Sequence, residues 1–91
     1  MPDPSEQTAA IEQAIDKELQ KTGRVFNLGR KVATEYHYDE DGMERVLEDV
    51  CDDLQPTYKY AYMPGDGRKE VQADSTLSQV ITHVDRKTNP A

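Results

Sequence analysis

The stretch YKYAYMPGDGRKEVQA, Tyr58 to Ala73, decides how this chain is read. Tyr58, Tyr60 and Tyr62 alternate with Lys59 and Ala61, the period of two of a half-buried strand. Pro64-Gly65-Asp66-Gly67 is a strong turn signal. Residues 68–73 can then return as a partner strand, with Val71 and Ala73 on one face. The stretch therefore predicts a β-hairpin over 58–62 and 68–73 with a glycine-rich tip.

Upstream the period is helical. Asp3 can cap a helix, Pro4 suits its first position, and Glu6 stands three residues after the cap. Ile11, Ile15, Leu19 and Thr22 follow at helical spacing, and Gly23 suits a left-handed stop. These signals predict a helix over 4–22. Arg24-Val25-Phe26 is a short β-prone run. Leu28, Val32 and Tyr36 repeat every four residues after Asn27, which predicts a second helix ending near His37. A third helix spans 40–54, capped by Asp39 or Asp41. Its apolar row is Met43, Val46, Leu47, Val50 and Leu54, and Pro56 lies beyond its end. Downstream of the hairpin, Ser75 or Thr76 can cap a last helix over 75–86 built on Leu77, Val80, Ile81 and Val84. Residues 87–91 read as a frayed polar tail.

The predicted fold class is α+β, mostly helical, in a single domain. The order of elements over residues 4–73 resembles a winged-helix domain (α-β-α-α-β-β), here with an additional C-terminal helix. The resemblance is topological and rests on no motif peculiar to one family. It implies a third helix that enters the DNA major groove and a hairpin that meets phosphate.

The charge pattern opposes that implication. The chain has 91 residues and a formal charge of −7. Residues 17–34 sum to +4, but residues 35–54 sum to −8, with Arg45 alone against nine carboxylates. Duplex DNA is bound chiefly by neutralising its phosphates. A recognition helix carrying Glu40, Asp41, Glu44, Glu48, Asp49, Asp52 and Asp53 would be repelled. Three readings of this helix are open: a solvated face, a docking face for a basic protein, or a mimic of nucleic acid that occupies another protein's groove, as phage anti-defence inhibitors do as a class. The alternative is a DNA-binding regulator that contacts phosphates through Arg30, Lys31, Arg68 and Lys69. Those cations also have a plainer reading, as partners of the acidic segment. Tyr58, Tyr60 and Tyr62 are core residues on one reading and an aromatic contact surface on the other.

Chemistry is thinly marked. His37 lies between Glu35 and Asp39, but one histidine with two mobile carboxylates is a weak metal signal and better marks a helix break. Cys51 precedes Asp52 and Asp53, which disfavour a thiolate, so it reads as a packing residue. No phosphate-binding loop or nucleophile motif is present. No apolar run approaches the ~18 residues of a membrane span, and the first residues do not read as a signal peptide. The expectation is a cytoplasmic, non-enzymatic regulator or inhibitor without cofactor or metal, binding a basic, nucleic-acid-associated protein through 40–54, with a homodimer also open.

Overall fold

The computed structural model describes residues 4–91 and, from Ser5 onward, their side chains. The first helix, α1, runs Pro4–Lys21; its expected cap, Asp3, lies outside the described residues. It ends as the sequence predicts. Gly23 takes a left-handed φ of 71°, its N–H reaches the Gln20 carbonyl at 3.1 Å, and the Arg24 N–H reaches Leu19 at 2.9 Å. These two bonds form a Schellman stop. The next helix, α2, runs Glu40–Leu54, with the Asp39 side chain accepting from the Gly42 N–H. Its buried row is Met43, Val46, Leu47, Val50 and Leu54, the row read from the period.

The second predicted helix does not form. Residues 27–36 are turns and a single bridge, Lys31 to Thr76. The reason lies in the last helix, α4, Leu77–Arg86. A helix start leaves four N–H groups without intrahelical partners. Here the Leu77 and Ser78 N–H groups bond the carbonyls of Arg30 (2.8 Å) and Leu28 (3.0 Å). Thr76 and Gln79 satisfy the other two through a capping box. Carbonyls committed to α4 cannot serve a helix of their own. Asp74 fixes the same loop by accepting from the N–H groups of Ala33 (3.0 Å) and Thr34 (3.1 Å) and from the Thr34 hydroxyl (2.7 Å). Val32 and Tyr36 are still buried, so the four-residue spacing marked burial correctly and helix wrongly.

The hairpin does not form either. Tyr58–Tyr60 is a strand, β1, but Asp66–Gln72 is a helix, α3. Two features of α2 account for this. Gly67 sits against its backbone so closely that a Cβ would lie 2.4 Å from the Glu44 nitrogen. Gly65, at the N-cap of α3 with a φ of 103°, has no side chain to cap with, and Glu44 takes that role by accepting from the Arg68 N–H at 2.9 Å. The partner of β1 is the segment read as a frayed tail: Thr88–Pro90 is a strand, β2. It pairs antiparallel with β1, Tyr58 opposite Pro90 and Tyr60 opposite Thr88.

The result is an α+β fold of four helices and one two-stranded antiparallel sheet, in the order α1, α2, β1, α3, α4, β2. That order departs from α-β-α-α-β-β. The strands sit beside the C-terminal end of α4, and no strand returns from residues 68–73. One hydrophobic cluster joins Ile11, Ile15 and Leu19 of α1 to the α2 row, to Tyr58 and Tyr60, and to Leu77, Val80, Ile81 and Val84 of α4. The start of α1 is tied to the end of α4, where Gln7 and Thr8 both bond the Asp85 carboxylate (2.6 and 2.9 Å). Among the described residues, no helix is long and apolar enough to cross a membrane.

Candidate functional site

The carboxylates of α2 divide into three rows because the helix lies between α1 and α3. Glu40 and Glu44 turn toward α3. Glu40 accepts from Gln72 at 3.1 Å and stands 3.6 Å from the Arg68 guanidinium. Glu44 accepts from the Tyr62 hydroxyl and the Arg68 N–H. Burial alone would raise the Glu44 carboxyl. The bonds from Tyr62 and from the N–H groups of Arg68, Gly65 and Gly67 outweigh it and hold the group below its ordinary range. The Tyr62 phenol is pushed well above its ordinary value, first by burial and then by Glu44.

Asp49 and Asp53 turn toward α1. Asp53 pairs with Lys17 at 3.3 Å. On α1 the Glu18 carboxyl is raised, first by burial and then by the nearby Asp49 carboxylate, with Lys21, 2.6 Å away, opposing. The plainer reading of the basic segment therefore holds at Lys17, which meets an acid of α2 within the molecule.

The outward row is Asp41, Arg45, Glu48 and Asp52, at i, i+4, i+7 and i+11 and all exposed. Their side chains have no hydrogen bond or ion pair among the described residues. One flank of this row opens on a groove of about 640 Å³, walled by Glu40, Glu44, Glu48, Tyr62 and Arg68. Next to Pro64, Met63 is 63% exposed.

The other candidates are placed differently. Tyr58 and Tyr60 are buried. Their rings belong to the core and offer no stacking face, and only Tyr62 reaches a groove. Arg30 and Lys31 are exposed beside the start of α4, with the Arg30 guanidinium 5.7 Å from the Tyr36 ring centroid. Arg68 leans on Glu40, and Lys69 is exposed on α3. Cys51 is a free thiol, half-buried, directed at the Tyr60 carbonyl at 3.4 Å. Among the described residues, no group of three or more histidine, cysteine or acidic side chains is arranged to hold a metal ion.

Two buried acids escaped the sequence reading. Glu18 stands seven residues after Ile11, inside the apolar row of α1, and its side chain is 3% exposed. That position was the available signal. Glu70 is equally buried and meets His83 of α4; nothing in a segment read as a strand marked it. Comparison with protein-family models, with curated proteins and with solved structures finds no match to this chain.

Proposed function

We propose that this protein binds a basic partner protein through the outward row of α2 and the groove beside it, acting as a regulator or inhibitor. The observation that carries the reading is the division of the carboxylates. Glu40, Glu44 and Asp53 have hydrogen-bond or ion-pair partners within the fold, and Asp49 is half-buried on the side of α1. Asp41, Glu48 and Asp52 are left exposed in one line around Arg45. Carboxylates at intervals of one to two helical turns, ~5–11 Å along the axis, present negative charge in a spaced line, as a phosphate backbone does. A partner that normally holds nucleic acid is the sharpest form of the proposal. Complementary charge of this kind speeds encounter and fixes orientation.

Direct DNA binding is the weaker reading. Residues 68–73 supply no β wing, and Arg68 already leans on Glu40. The test is capture from native lysate by wild-type protein and by the D41K/E48K/D52K variant. A basic protein held by the wild type, released by the variant and displaced by duplex DNA supports the reading. A partner retained equally by both proteins overturns it.

A further inference from the structure

Among the described residues, the large hydrophobic side chains left exposed are Val25, Leu28 and Met63. They lie at opposite ends of α4. At its start, the Leu77 and Ser78 N–H groups hold the carbonyls of Arg30 and Leu28. The Tyr36 hydroxyl fastens the same loop, accepting from the Asn27 N–H at 2.8 Å and donating to the Val25 carbonyl at 2.7 Å. Val25 and Leu28, 71% and 45% exposed, are thus displayed on a fixed loop. At the other end, Lys87 pairs with Asp66 at 2.9 Å, and Asp66 accepts from the Met63 N–H at 3.1 Å. The ten residues of α4 hold these two ends ~15 Å apart. Met63 therefore does not cover Val25 or Leu28 within one molecule.

The charges at the two ends are opposite. Residues 24–31 hold three cations and no acid. Arg24 is committed within the fold, to the Tyr36 carbonyl and the Thr22 hydroxyl. Arg30 and Lys31, just after Leu28, are exposed and form no ion pair among the described residues. Met63 stands instead beside the α2 groove, whose walls carry four carboxylates against Arg45 and Arg68. Of the four, Asp41 and Glu48 are exposed and likewise form no ion pair among the described residues. Each end thus joins exposed apolar surface to two unpaired charges, and the two pairs have opposite signs. Apolar contact flanked by complementary charge is the make-up of a protein interface. Every molecule carries both halves, so a second copy matches in apolarity and charge at once. Each copy bears a formal −7, and that long-range repulsion keeps the contact weak.

We propose that copies of this chain associate head to tail, the 25–31 loop of one seating against Met63, Asp41 and Glu48 of the next. The contact joins two different surfaces, so it is heterologous and leaves one end of each outer copy open. This goes beyond the proposed function: it needs no partner protein, and it hides the acidic face from one as concentration rises. The test is sedimentation velocity on the full chain at moderate salt, from about 10 µM to about 1 mM. The mean sedimentation coefficient should climb, with a dissociation constant on the order of 100 µM. R30E/K31E and D41K/E48K should each stay monomeric over that range. All four positions are exposed, so both variants should keep the wild-type circular dichroism spectrum. Mixed one to one, they should form a dimer that grows no further, because each retains the end the other has lost. The quadruple variant, with both signs exchanged, should associate again. V25S/L28S should weaken wild-type association about tenfold or more. A wild type that stays monomeric, single-end variants that associate undiminished, or a mixture that stays monomeric overturns the inference. A monomeric wild type that still captures a basic protein overturns this inference alone. Self-association with no partner captured supports it and counts against the proposed function, so the two readings fail separately.

Discussion

Glu44 of α2 caps α3: its Oε1 accepts the Arg68 N–H at 2.9 Å, while its other oxygen holds the Tyr62 hydroxyl. One side chain thus starts a helix in a segment whose own N-cap is a glycine, and it also anchors the loop that leads there. Glu44→Ala should cost about 1–2 kcal/mol, the range of a lost N-cap, in urea unfolding at neutral pH. The charge adds a pH signature. A carboxyl held below its ordinary 4.5 in the folded state stabilises above that value and loses the effect as pH falls through the folded pKa. Wild-type stability should therefore drop in acid more steeply than that of Glu44→Gln. Parallel profiles would remove Glu44 from this role.

Gly67 is the seat of α3 on α2. A Cβ there would meet backbone at 2.4 and 2.6 Å, which cannot swing aside as a side-chain tip can. Gly67→Ala should destabilise by about 1–3 kcal/mol, although alanine is the better helix former by ~1 kcal/mol. A thermal midpoint at or above that of the wild type would show that the two helices do not approach so closely.

Glu18 predicts the opposite pH behaviour to Glu44. Its carboxyl is raised above 4.5, with burial as the largest cause. A raised group contributes stability below its unfolded value and loses it as pH rises through the folded one. Glu18→Gln, which resembles the protonated form, should match the wild type in acid and exceed it at neutral pH. Denaturant midpoints at three or four pH values spanning the carboxylate range check this; a constant difference would rule it out.

His83 is the hydrogen-bond partner of the buried Glu70 carboxylate, whose side chain is 6% exposed and whose other oxygen has none. His83→Ala leaves a buried carboxylate unpaired and should cost about 1–3 kcal/mol. Glu70→Gln should recover part of that loss in the His83→Ala background. A double-mutant cycle with zero coupling would show the pair to be independent.

Residues 88–91 are structural. Thr88 is buried, bonds the Val84 carbonyl through its hydroxyl at 2.6 Å, and pairs with Tyr60 across the sheet. A chain ending at Lys87 should lose about 2–4 kcal/mol, through exposure of Tyr58 and Tyr60 and loss of the β1 partner. An unchanged melting temperature would return these residues to the status of a tail.

What the sequence determined by itself was local. α1 with its glycine stop, α2 with a cap at Asp39 or Asp41 and α4 with a cap at Ser75 or Thr76 were legible because period and cap lie within a few residues of each other; the structure chose Asp39 and Thr76. The acidity of α2 was legible for the same reason. Tertiary structure decided everything that depended on a distant partner. Leu28 and Arg30 gave their carbonyls to α4. Residues 66–72 became helix because Glu44 caps them and α2 receives Gly67. Residues 88–90 became strand because β1 lies beside them. It also sorted the seven candidate carboxylates: packing between α1 and α3 engaged Glu40, Glu44 and Asp53, half-buried Asp49, and left Asp41, Glu48 and Asp52 facing out. Backbone groups must find partners wherever the fold supplies them, and for these segments the partners were tens of residues away.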